Sequence, residues 1–487
     1  LQTGAAERPP DHEPSPLASA LEFIRLSHSL HGMKRLAVIN VVGLTRSILD
    51  RTTHMKAFAT NAAVIPVVPA FPAVTCTVQA TYLTGLDPSE HGIVGNGWYD
   101  RALSEVHFWK QSNHLVAGTK IWEAEKAQRP GFTCAKLFWW YNMYSTADYS
   151  ITPRPMYPAD GRKIFDIYTA PGSIRGEIKK DLGEFPFRQF WGPLAGIESS
   201  RWIAESARWI EERYRPTLSL IYLPHLDYNL QRLGPEDPAI SDDIRQIDTV
   251  TGDLISFFRS RSVEVVLLSE YGITTVSRPI HLNRLFRERG WIAVREELGR
   301  ELLDCGASKV FAVADHQVAH IYVNDPGLTG EARIAVEKLP GVERVLGPEE
   351  QATAGVRHHR AGDLIAVADA RSWFTYYYWT DDRRAPDFAR CVDIHRKPGY
   401  DPVELFIDPT ISLPKLKIAA RLLRSRLGFR TLLDVIPLDA SLVKGSHGGI
   451  PDPADYPLLI VPGAGGKQSP PIPAREVFAR LRSVLAE

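Results

Sequence analysis

The chain has 487 residues, 44% of them apolar and 23% charged, with 57 basic residues against 57 acidic ones. This is the composition of a globular protein too long for one small core, so a large α/β domain with insertions, or two domains, is expected. Balanced charge gives the whole molecule no pull toward nucleic acid or an anionic membrane, and no local basic patch stands out.

Residues 1–32 carry Pro9, Pro10, Pro14 and Pro16 without a basic segment followed by an apolar one, so they read as an irregular N-terminal arm and not as a secretion signal. The folded unit is expected to begin at Met33 and run to 487, with insertions at about 97–200 and 365–435. No run reaches the roughly 18 to 20 apolar residues of a membrane span; Ala57 to Ala80 is cut by Asn61 and three prolines. The four cysteines, Cys76, Cys134, Cys305 and Cys391, are far apart, which fits a reducing cytoplasm.

Leu36 to Val42 is a near-continuous apolar run ending at Gly43, as a strand buried on both faces of a parallel sheet requires. Leu218–Leu223 and Val263–Leu268 repeat the pattern, and each is followed by polar residues at its carboxyl end, where open α/β sheets bind ligands. Trp202 to Arg213 and Ile240 to Arg259 have apolar residues three and four apart and are predicted helices. Alternation of strand and helix argues for an α/β sandwich. The two insertions are dense in aromatic residues. Core packing is the first reading of those rings, and a cap offering Trp140, Tyr141 and Tyr377 to a substrate is the second.

The segment Pro72 to Asn96 carries the most chemical information. A threonine opening a helix after a buried strand either caps the helix or offers a nucleophile at its positive end, where an anion can also sit. The Thr-Gly-Leu-x-Pro-x-x-His-Gly-Ile pattern from Thr84 to Ile93 resembles the nucleotide pyrophosphatase/phosphodiesterase branch of the alkaline phosphatase superfamily. Three further segments follow in the order of that family: Pro224-His225-Leu226-Asp227, Ser269-Glu270-Tyr271-Gly272 and Ser446-His447-Gly448. The resemblance implies an alkaline-phosphatase-like sandwich, a mostly parallel central sheet flanked by helices, with aromatic-rich cap insertions.

It also implies metal-dependent phosphodiester or pyrophosphate hydrolysis of a small phosphorylated substrate, with Thr75 as nucleophile and a pair of divalent ions, usually zinc. Carried over by position, metal ligands fall on Asp227, Gln231, Glu270, Tyr271 and His447, while the first-strand aspartate becomes Val42. Asn40 could stand in for Val42 if the strand is bulged. Gln79 replaces the phosphoryl-oxygen donor lost at Val78, and Asn96 completes the catalytic set. The oxygen-rich replacements shift preference toward Mn²⁺ or Mg²⁺, and one or two ions remain open. The alternative is a repurposed relative without the dimetal centre: a binding or accessory protein, a transferase or an isomerase. Additional candidate ligands are His225, placed on the face of Asp227 if that segment is a strand, His316, which would share a strand face with His320, and His395, in a turn with Arg396 and Lys397 that could hold an anion.

Overall fold

The strand Leu36–Val41 is buried at every residue and lies parallel between Leu218–Leu223 and Glu264–Leu268. Its unbroken apolar sequence is what a strand with a layer on each face demands. The computed structural model describes residues 33–463, 465 and 469–486, so the N-terminal arm lies outside the described residues.

These three strands are the centre of a nine-stranded sheet, ordered 472–473, 62–68, 458–462, 264–268, 36–41, 218–223, 134–137, 149–153 and 167–170. The five strands from 264–268 to 149–153 are parallel, whereas 458–462 and 167–170 run antiparallel to their inner neighbours. The predicted helices form as Ile197–Tyr214 and Ile240–Ser260, whose apolar faces join the core around the sheet.

A second core runs from Val276 to Val443, with Tyr99 and Phe108 added, and so begins well before the expected insertion at 365. It is built on an antiparallel four-stranded sheet ordered 310–315, 318–323, 364–368, 342–346. Tyr376, Tyr377, Tyr378 and Trp379 are all buried in it, and the Tyr377 ring packs on His281 and Trp379. Tyr377 is therefore a core residue and not part of a substrate surface.

Candidate active site

The loops and helices that leave the carboxyl ends of the central strands converge on one buried cluster. Thr75 opens the helix Thr75–Thr84 but does not cap it; Val74 is the capping position, and its side chain has nothing to donate or accept. Asn96 supplies the missing cap from a distance, its Oδ1 accepting from the Cys76 N–H at 3.0 Å. Asn96 is itself fixed by Asp315, which takes its backbone N–H at 2.7 Å and its side-chain amide at 3.0 Å. The Thr75 hydroxyl is left to interact elsewhere, and it lies 2.9 Å from the Tyr271 phenol.

Asn40 and Val42 share a sheet face because they are two residues apart. The register of Asn40 against Tyr222 and Leu268 is regular, so Asn40 reaches the cluster without the bulge expected above. Its amide donates to Glu270 Oε1 at 2.6 Å, and the Gln79 amide donates to the same oxygen at 2.6 Å. Gln79 in turn accepts from the Trp140 backbone N–H at 2.7 Å. Burial is the main reason the Glu270 carboxyl is pushed up to about 8, against the pull of these two amides. Burial thus favours the neutral acid, in which Oε1 accepts both amides and the buried Oε2, without a partner, is the oxygen free to hold the proton.

Asp227 sits in the first turn of the helix His225–Leu233, with Gln231 one turn later on the same face. Gln231 donates to Asp227 Oδ2 at 2.8 Å and accepts from the Tyr400 hydroxyl at 2.9 Å. The Tyr271 hydroxyl reaches Asp227 Oδ1 at 3.4 Å. Burial raises Asp227 to about 7.

His447 follows the short strand Gly445–Ser446, which passes so close to that helix that a β-carbon at Gly445 would lie 2.0 Å from the Leu230 carbonyl oxygen. Burial lowers the His447 imidazole to about 3, so it is neutral; Nδ1–H donates to the Ala73 carbonyl at 2.7 Å, and Nε2 has no partner. Four rings stack through the cluster: Tyr271 on His447 at 3.6 Å, His447 on His316 at 3.7 Å, and His316 on Tyr400 at 3.7 Å.

The remaining candidates sort by backbone conformation. His225 is helical, so two residues turn it about 200° away from Asp227, and it faces Asp243 at 3.2 Å. His316 and His320 do not share a face, because a tight hairpin turn intervenes at His316, whose φ is 62°. That turn brings His316 into the ring stack, while His320 contacts the Val94 carbonyl. His395 points to the Phe108 carbonyl at 3.3 Å. Lys397 is buried in ion pairs with Asp401 and Glu404, both at 2.7 Å, so its charge is not offered to an anion. Tyr141 is buried beside Cys76, and Trp140 is half-buried against Trp109. Tyr400, which no sequence pattern singles out, joins the site through His316 and Gln231.

The two-ion centre that the resemblance implies does not fit these side chains. Among the described residues no group of three His, Cys, Asp or Glu side chains converges as ion ligands. Gln231 turns its amide nitrogen toward Asp227, Glu270 Oε1 is occupied by two N–H donors, and the Tyr271 ring covers His447 while its hydroxyl bridges Thr75 and Asp227.

The fold defines an alkaline-phosphatase-like α/β protein. The model of the type I phosphodiesterase/nucleotide pyrophosphatase family matches residues 36–401, and the chain belongs to that family. It is 27% identical over 264 residues to an uncharacterized pyrophosphatase/phosphodiesterase of Schizosaccharomyces pombe, covering 51% of this chain and 47% of the relative. Venom phosphodiesterase of Naja atra is 22% identical over 242 residues, 47% of this chain and 24% of its own length. The chain thus spans half or less of these curated relatives.

Two solved structures share the fold. Murine ectonucleotide pyrophosphatase/phosphodiesterase 5, as an inactive variant in complex with AMP, aligns with a TM-score of 0.56 and 16% identity over 93% of this chain and 95% of its own. Phosphonoacetate hydrolase of Sinorhizobium meliloti, in complex with phosphonoformate, aligns with a TM-score of 0.59 and 14% identity over 93% and 96%. Among the described residues no helix is long and apolar enough to cross a membrane.

Proposed function

We propose that the protein hydrolyses a phosphodiester or pyrophosphate bond of a small molecule, with Thr75 as the nucleophile. The observation that carries this reading is the hydrogen-bonded line from the Thr75 hydroxyl through the Tyr271 phenol to the Asp227 carboxylate. Thr75 Oγ1 attacks phosphorus as its proton passes to the Tyr271 oxygen, and the Tyr271 proton passes to Asp227. The new bond is Thr75 Oγ1 to phosphorus; the bond to the leaving oxygen breaks, and water later releases the phosphoryl group from Thr75. The neutral Glu270 acid offers an O–H donor, and the amino end of the helix 75–84 partial positive charge, to the phosphoryl oxygens.

Metal-dependent catalysis is general in this family, but this chain's donor set assigns it no step here. The test is release of p-nitrophenol from phosphodiester substrates, and of AMP from dinucleotide pyrophosphates, by the wild type and Thr75→Ala. Loss of about 100-fold or more in kcat is expected from the substitution; equal rates sink the Thr75 reading. A second reading, a ligand-binding protein without turnover, is favoured by Val42, Gln231 and Tyr271 at positions where the family carries ion ligands. Saturable AMP binding by wild type without any hydrolysis identifies that case.

A further inference from the structure

The helix Pro414–Arg426 has no buried residue, although it is one of the longer helices of the second unit. Leu413, Leu416, Ala420, Leu423 and Leu427 follow one another at intervals of three and four and form one stripe along it. The four leucines of that stripe are 59% to 66% exposed, and Phe429, Leu432 and Leu433 extend the apolar surface beyond the helix end. Ile418, on the other side, packs against the second core and holds the helix to the body.

From Leu413 to Leu433 there are six cations and no acid. At about 100° per residue, Lys417 and Arg424 border one edge of the leucine stripe, and Lys415 and Arg426 the other. Lys417 and Arg421 share Asp434; Lys415, Arg424, Arg426 and Arg430 have no carboxylate partner among the described residues. A cavity of about 250 Å³ opens beside the helix and is walled by Arg300, Arg390, Arg421, Arg424 and Arg430 with Asp387 and Asp434; Arg390 is paired with Asp408 and Arg421 with Asp434, which leaves Arg300, Arg424 and Arg430 without a carboxylate partner among the described residues.

We propose that this face docks on the surface of an anionic lipid bilayer, the leucine stripe entering the headgroup boundary and the arginine-walled cavity taking a lipid phosphate. An apolar stripe bordered by cations on both sides matches that environment, because long basic side chains bury their stems and keep their charges at the headgroups. A second copy of this chain fits poorly, since it would set six cations against six. A helical protein partner has only about two heptads to grip, fewer than the three or four that a coiled coil sustains. The neutral balance of the whole sequence conceals this local asymmetry, so the chain does carry a basic patch, at 413–433.

The inference does not rest on the hydrolase reading, and its test leaves Thr75 untouched. The full chain is sedimented with vesicles of phosphatidylcholine alone or mixed with phosphatidylglycerol. Binding to the mixed vesicles only is expected, falling about tenfold or more in the double variant Leu416→Glu/Leu423→Glu and in Arg424→Gln/Arg430→Gln. These exposed substitutions should leave hydrolysis in solution and the circular dichroism spectrum unchanged. In Leu423→Trp, indole emission should shift to shorter wavelength on adding mixed vesicles and be quenched by brominated lipid. No binding to mixed vesicles, binding that survives the leucine substitutions, or an unshifted indole overturns the proposal. So does a dimer in solution that Leu416→Glu/Leu423→Glu dissociates, since the stripe then belongs to a second copy.

Discussion

The Tyr271 ring lies flat on the His447 imidazole, 3.6 Å away and within 7° of parallel, with its hydroxyl 2.9 Å from Thr75. One side chain therefore both covers a would-be ligand and holds the hydroxyl proposed as nucleophile. Tyr271→Phe keeps the stack and removes only the bridge, so kcat should fall about 10- to 100-fold with KM little changed. An unchanged kcat would remove the phenol from the proton path, whereas Tyr271→Ala confounds this by opening a cavity.

Buried carboxyls contribute one part of the expected pH response of stability. Burial raises Glu270 to about 8 and Asp227 and Asp315 to about 7 in the folded protein, all above their ordinary values. Groups with raised folded pKa values contribute stability fully below their unfolded pKa and lose it as pH rises through the folded one. The contribution of these three carboxyls should thus decline between about pH 4 and pH 8, against buried histidines such as His447 and His320, whose lowered pKa values make stability fall with acid. Thermal melts from pH 5 to pH 8, wild type against Glu270→Gln, isolate the Glu270 part. Glu270→Gln, which cannot ionise, should flatten the part of the decline above pH 7.

Two of these groups, Asp227 and Glu270, should also shape activity. In the proposed mechanism Asp227 accepts a proton only when ionised and Glu270 offers its O–H to a phosphoryl oxygen only when protonated, so kcat should rise through about pH 7 and fall through about pH 8. A rate that is level from pH 5 to pH 9 would contradict these roles.

Metal content separates this chain from a two-ion relative. Protein purified without chelator should hold well under one equivalent of zinc or manganese by elemental analysis, and EDTA should leave its hydrolysis rate unaltered. Gln231→His places a third donor beside Asp227 and His447 and should raise zinc uptake toward one equivalent. Stoichiometric metal in the wild type, lost in Asp227→Ala, would refute the reading of the donor set given above.

The aromatic run of the second core should behave as packing. Tyr377→Ala should cost about 3 to 5 kcal/mol of stability, as large-to-small changes at buried aromatic positions do. KM of the folded fraction should not move; a selective KM effect would return the ring to a binding surface.

How far the sequence could be read depends on the range of the interactions involved. Strands 36–41 and 218–223 were legible because double-faced burial writes itself as an unbroken apolar run, and the helix 240–260 because its face repeats locally. His225 and His316 were misplaced because their conformations turn on one or two residues, a helix starting after Pro224 and a left-handed residue in a hairpin. The partnership of Glu270 with Asn40 and Gln79 spans 230 and 191 residues of chain, and no local pattern announces it. Tyr400 was invisible for the same reason, since it meets Gln231 at a separation of 169.

The column of Tyr400, His316, His447 and Tyr271 places two imidazoles face to face with aromatic neighbours. Circulating π electrons in the tyrosines shield whatever lies over them, so the carbon-bound protons of His447 and His316 should resonate well upfield of ordinary histidine signals. Those displaced resonances amount to a built-in reporter: anything that enters between Tyr271 and His447 would move them toward their usual positions and reveal its arrival without a label.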